Sequence, residues 1–493
     1  MFVNFEGKTN EYMLTTIIKK EILENIFSYR FPLFLVICII LIPLGIYVNK
    51  LDYTKRVADF NEQSRLASEA VSSSQMQDVM AGTLNLKGFR SPSPLSVFAE
   101  GFENTLPKYY EFKQGGYKAG ETSVRDESVL SVQGKFDFLF ILQMIISLVV
   151  LLFASDVIAG EKEMGTLRGI FSNSMPRDSL LLGKMIGGFL SVWLPFVVAF
   201  LAGILVLMLT DFPALTGDLP AKIFLIFLIS SLFILTYYSL GIMISVSAHK
   251  TRTSMVMILL LWGLLQMIAP KMSDMVASFL HPVRTETALS LEKSLIANSS
   301  NDELAKELGR QYIATFGTSE MQQGQSQEET PEQVKWDALK KEIEQKYVDI
   351  KTQQLNAIDE TYRHERATQE AIATNLSFLS PSAACARLLT DICATGELEK
   401  TKYLSAVATH QAALDDELFG RVKRTMMKFP NGQTAMSFSA EPINFKSLPT
   451  FSINPTPIAE TFKADWESML SLIFWLIIPF AVTYVKFLKY DVR

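Results

Sequence analysis

The sequence predicts an all-α polytopic membrane protein, with six transmembrane helices and two mainly helical extracytoplasmic domains. Three observations predict it. Six stretches are apolar enough to cross a hydrocarbon core, which takes about 20 residues carrying few charges. Lys and Arg gather on one alternating set of their flanks. Two long polar segments, together more than half of the chain, separate the first two stretches and the last two. The 493 residues are 49% hydrophobic and 20% charged, with 34 Phe and 20 Met, which suits several spans plus folded polar parts. The net charge of −5 gives no footprint for nucleic acid.

Residues 1–30 end in an amphipathic stretch, Tyr12 to Tyr29. There Leu14, Ile17, Ile18, Ile22, Ile26 and Phe27 are set against Lys19, Lys20, Glu21 and Glu24, the pattern of a helix lying on membrane lipid. The first span, Phe31 to Val48 within 31–50, has no small-residue cleavage pattern after it and reads as a retained anchor. Residues 51–135 form the first extracytoplasmic domain: a polar helical stretch (Thr54 to Met80), a turn-rich passage (Gly88 to Pro94) and apolar-spaced Leu95 to Leu106. A compact helical domain is expected.

The second span is Phe136 to Ala154, followed by a loop over 155–180. The third to fifth, Met185 to Leu209, Ile223 to Val246 and Ser254 to Ile268, fill 181–270. The second extracytoplasmic domain covers 271–465. Its Gly317 to Pro331 run is Gln/Glu/Ser-rich and reads as a linker. Beyond it Trp336, Leu339, Ile343, Tyr347, Ile350, Ile358 and Tyr362 recur at helical spacing, as bundle core or as a partner-binding face, on a long helix or hairpin projecting from the membrane. The sixth span, Met469 to Val485, and a tail complete 466–493.

Sidedness follows from charge. Lys19, Lys20, Arg30, Lys162, Arg168, Arg177, Lys184, Lys250, Arg252, Lys486, Lys489 and Arg493 flank one set of ends, whereas Asp211 to Pro220 carries no Lys or Arg. Both termini are therefore expected to be cytoplasmic.

The chemistry is mostly one of exclusions. No GxxxxGK[ST], HExxH or GxSxG occurs, and His249, His281, His364 and His410 are scattered, so no catalytic, cofactor or metal site is expected. Cys38, Cys385 and Cys393 read as structural. The spans carry no charge beyond their ends, where Asp137 and Lys184 read as snorkelling or water-facing, and this disfavours ion coupling. Gly183, Gly187 and Ser191, at four-residue spacing, permit close helix packing, within the chain or as a dimer seam. Lacking its own power source, the protein would be driven through contact with another. The one substantial loop on the charged side, Ser155 to Arg177, offers Glu161, Lys162 and Glu163, a flexible Gly165 and Thr166 as a cap, as either a solvated helix end or a docking element.

In this loop Glu161, Lys162, Glu163, Gly165, Thr166 and Leu167, followed by Pro176, Arg177, Leu182, Gly183 and Lys184, resemble the permease subunits of type-2 ABC exporters. Ser91 to Phe102 and Leu376 to Leu389 look like a subgroup with enlarged outer domains, related to multicopper-enzyme maturation permeases. The resemblance implies that the loop is a coupling helix docking on cytoplasmic ABC ATPase subunits. ATP and Mg would be bound by those subunits and not by this chain. A second permease copy or a related permease, and residence in a bacterial inner membrane, are implied as well. The large outer insertions leave two outputs open: substrate export, or transmission of motion to a periplasmic protein. A scaffold independent of any ATPase is the reading from another class.

Overall fold

The computed structural model describes all residues except 1–2, 74–83, 85, 114–115, 121–135, 173–175, 211, 214–216, 318–330, 419–421, 429–433, 441–447, 454–455 and 491–493. Six helices are long and apolar enough to span a membrane: Arg30–Ser73, Phe138–Met164, Arg177–Met208, Leu219–Ser247, Thr251–Leu280 and Trp466–Leu488. The protein is all-α and polytopic, as expected. The 44-residue first helix is about 66 Å long at 1.5 Å per residue, roughly twice the hydrocarbon thickness. Neither Gly nor Pro interrupts it between Lys50 and Ser73, so the backbone runs on where hydropathy stops.

The second and fifth spans each contain a π-helical turn, Ile141–Ile146 and Leu264–Ile268. Their core is aromatic. Phe98, Phe138, Phe196, Phe200 and Phe227 form one ring cluster with centroid spacings of 5.4–6.4 Å. The three cysteines are buried and unpaired.

The contacts divide the chain differently from the expected domains. One unit comprises Met1–Pro270, Ser377–Arg421 and Pro442–Arg493; the other comprises Lys271–Leu376 and Val422–Glu441. Residues 51–135 and 271–465 are therefore not two self-contained domains. In the first unit, strands β1 (Leu86–Phe89), β2 (Tyr109–Lys113) and β3 (Gly116–Ala119) make an antiparallel meander where helices were expected. Four- and five-residue strands are too short to show a period of two.

This sheet and the turn before the second span dock on the helices Pro381–Ile392 and Glu397–Glu417. Ser93 Oγ donates to the Cys393 carbonyl at 2.6 Å, Phe102 N to the Thr395 carbonyl at 2.7 Å, and Tyr403 Oη to the Pro107 carbonyl at 3.0 Å. The stretches Ser91 to Phe102 and Leu376 to Leu389 thus meet in one module. Gly101 has φ +51°, and a β-carbon there would lie 2.3 Å from the Thr395 oxygen, so only glycine fits this crossing. Beside it Glu103, 5% exposed, lies 2.7 Å from Arg90 and 3.1 Å from Arg56.

In the second unit, helices Glu286–Phe316 and Pro331–Ser377 run antiparallel. Their register is marked by Arg284–Glu365 at 3.3 Å, by the Lys293–Asp359 ion pair and by the Tyr312–Trp336 rings at 5.3 Å. Along the expected stripe Trp336 is buried, Leu339, Ile343, Tyr347, Ile358 and Tyr362 are half-buried and Ile350 is exposed, as suits a two-helix seam. Strands β4 (Val422–Lys428) and β5 (Thr434–Ala440) form an antiparallel hairpin. Most of the Gln/Glu/Ser-rich linker lies outside the described residues.

Candidate functional site

The loop between the second and third spans folds into two short helices, Ala159–Met164 and Thr166–Ser172. The first helix begins under a borrowed cap. Ser245 Oγ of the fourth span accepts from the amides of Ile158 (3.1 Å) and Ala159 (3.0 Å) and donates to the Ser155 carbonyl (3.0 Å). Amides that open a helix lack intrahelical partners, so this hydroxyl satisfies two of them away from water. The helix ends at Gly165, whose φ of +71° is the left-handed turn a C-terminal glycine supplies. Thr166 is not the cap expected of it: its hydroxyl donates back to the Glu161 carbonyl at 3.3 Å.

Each charge of the first helix is tied to a different element. Glu161 lies 2.8 Å from Lys184 of the third span, and Lys184 lies 2.5 Å from Glu21 of the N-terminal helix Val3–Ile26. Lys184 is 3% and Glu21 6% exposed, which corrects the expected snorkelling position of Lys184 and the placing of Glu21 on the polar face. Burial pushes the Glu21 carboxyl above the usual carboxylate range, with Lys184 opposing. Lys162 Nζ donates to the carbonyls of Val246 and Ala248, which end the fourth span, and faces the Tyr490 ring at 4.9 Å. Glu163 accepts the Thr251 amide at 2.9 Å, an acid at the start of the fifth-span helix.

The rest of the loop is fastened likewise. Asp156 pairs with Arg30 at 2.7 Å, and Leu167 is 1% exposed in the core. Pro176 precedes the third-span helix. Arg177 donates to the carbonyls of Leu488 and Tyr490 at the end of the sixth span, its guanidinium 4.8 Å from the Phe171 ring. What faces outward is Glu163 and the crest beyond it: Met164, 72% exposed, with Gly165, Thr166, Arg168 and Gly169.

Gly183, Gly187 and Ser191 seat the N-terminal helix. A β-carbon at Gly183 would lie 2.6 Å from Ile17 and one at Gly187 2.8 Å from Glu21, and Ser191 accepts from Asn25 at 3.3 Å. The groove is filled by the chain's own helix, so it is a packing surface within the subunit.

Sequence reasoning named Lys184 beside this loop but read it as snorkelling or water-facing, and it missed Glu21 and Ser245 as parts of the site. A signal existed for Glu21 and Lys184. Glu21 falls three and four residues after Ile18 and Ile17, on the apolar stripe, and Lys184 shares a helical face with Gly187 and Ser191.

Among the described residues no cluster of His, Cys, Asp and Glu could hold a metal ion. One short helix is thus bonded to the third, fourth and fifth spans, and through Lys184 of the third span it is linked to the N-terminal helix. A family model described as ABC-2 family transporter protein matches residues 15–492. No match was found among curated proteins.

Proposed function

The chain belongs to the ABC-2 family of transporter proteins, and on that premise we propose that it is the permease subunit of an ABC transporter driven by separate ATPase subunits. These subunits would bind ATP and Mg and dock on the loop of residues 155–180. A second permease, identical or related, would complete the membrane part. The chain would reside in a bacterial inner membrane, and the one-sided Lys and Arg pattern supports placing both termini and this loop in the cytoplasm.

The observation that carries the coupling role is the helix Ala159–Met164, whose three charges are all bonded within the chain while Met164 stands exposed. Glu161 and Glu163 are then not the docking contacts. They hold the lever to the spans, and the crest at Met164 to Gly169 meets the ATPase. Displacing the crest would drag on the third, fourth and fifth spans at once.

The test is to co-express the tagged chain with the ABC ATPase subunit and compare variants. Met164→Asp is expected to lower ATPase recovery about tenfold, near 1.4 kcal/mol. Glu161→Gln is expected to leave recovery intact while weakening stimulation of ATP hydrolysis. Unchanged recovery with Met164→Asp would refute the docking assignment.

The long-helix unit of residues 271–376 and 422–441 favours a second output, in which motion is passed to a periplasmic protein in place of substrate export. A charged substrate analogue accumulating in inside-out vesicles only with ATP would decide for export.

A further inference from the structure

The helix Pro381–Ile392 is held at both ends. At its start, Ser380 Oγ donates to the Leu265 carbonyl at 2.8 Å, Ser382 Oγ meets the Tyr237 hydroxyl at 2.8 Å, and Gln143 Nε2 donates to the Ser382 carbonyl at 2.8 Å. Leu265 and Gln143 lie in the two π-helical turns, where the wider winding changes the backbone pairing. This end is thus fixed to the second, fourth and fifth spans.

The other end meets the sixth span through two carboxyls. Asp391, 3% exposed, uses Oδ1 to accept the Leu398 amide at 3.1 Å, and one helical turn after Arg387 it stands beside Asp465, 1% exposed, the residue before Trp466–Leu488. Arg387 Nε donates to Asp465 Oδ1 at 2.9 Å. Among the described residues no N–H or hydroxyl reaches the Oδ2 of either aspartate. Two buried carboxyls side by side, each with an unpartnered Oδ2 and one guanidinium between them, are relieved by a shared proton. The proton is placed on Asp391, whose carboxyl is pushed up by burial and by its neighbour.

We propose that the Asp391–Asp465 pair is a proton-held latch, fastening the start of the sixth span to the helix Pro381–Ile392 and releasing when the shared proton is lost. Among the described residues the surroundings offer no second cation to take its place. On the neighbouring helices Glu397 pairs with Lys400, Glu399 with Thr456 and Glu460 with Lys402, Lys222 donates to the Thr456 carbonyl, and Lys463 and Glu467 are exposed. Burial first, then the neighbouring Asp465, pushes the Asp391 carboxyl up to about 8. A carboxyl whose folded value is raised favours the closed contact at low pH. That advantage is lost as pH climbs from the ordinary carboxylate range through the raised value.

The latch stands apart from the ATPase reading, and its test uses no nucleotide. Hydrogen exchange would be followed by mass spectrometry on the full chain in lipid nanodiscs between about pH 6 and pH 9, corrected for intrinsic exchange. For peptides covering 388–399 and 458–470, the opening constant is expected to rise about tenfold per pH unit from about pH 6 up to the raised value, the slope of one proton, and to level off above it. Asp391→Asn, whose amide donates permanently to Asp465, is expected to stay protected throughout. A flat wild-type profile, an unaltered pH dependence in Asp391→Asn, or a loss spreading equally to every span would each overturn the latch.

Discussion

Replacing Lys184 with methionine probes the centre of the loop's attachment. The ammonium lies 2.5 Å from Glu21 and 2.8 Å from Glu161, in a position 3% exposed. Lys184→Met keeps most of the volume and strands two carboxylates, one of them only 6% exposed. Leaving a buried charge uncompensated costs about 3–5 kcal/mol. Proton uptake limits the loss. Glu21 is already pushed above the usual range by burial, and without Lys184 it rises further. An acid whose folded pKa is raised favours the folded state at low pH, so the damage should be mild near about pH 5 and full near about pH 8. Thermal unfolding of the detergent-purified protein at both pH values would measure this. The triple change of Glu21→Gln, Glu161→Gln and Lys184→Met should regain most of the stability, because neutral groups need no counter-charge. It should not regain stimulation of the ATPase. If Lys184→Met shifts the midpoint at high pH no more than Glu62→Gln, which loses a surface pair with Arg65, the buried triad is not as described.

Two further changes test the packing. Gly187→Val places a β-carbon 2.8 Å from Glu21 Cβ and 3.0 Å from the Ile18 carbonyl, so the N-terminal helix must lift, at a cost of about 1–3 kcal/mol. Trypsin should then cut faster after Lys19 and Lys20, while Gly263→Val, with open space around it, leaves the rate unchanged. Arg90→Ala takes away the 2.7 Å partner of buried Glu103 and should cost about 3 kcal/mol, read as faster proteolysis within residues 86–119.

The spans were legible because lipid demands apolar residues in a row, and that demand is written locally. Their ends were less so. The fifth helix continues from Thr251 to Leu280, past the expected Ser254 to Ile268, because amphipathic sequence propagates a helix beyond its most apolar part. The sheet of residues 86–119 and its union with residues 381–417 were hidden, since what builds them is pairing at long separation. The loop itself could be found from its charges. Their direction could not: Glu161 looks like a surface acid until the third span brings Lys184 beneath it. A residue's neighbours in sequence say which chemistry it offers, and only the fold says to whom.

The bond from Ser93 to the Cys393 carbonyl joins residues 300 apart. A ribosome adding about 5–20 residues per second needs roughly 15–60 seconds to make that interval. For all of that time the first polar segment is without the surface it will rest on, and Phe112, 1% exposed in the finished protein, still lacks the His410 and Phe451 rings that cover it. Assembly of this chain therefore includes a waiting period, during which its first polar segment depends on helpers or on its own solubility to avoid the wrong partner.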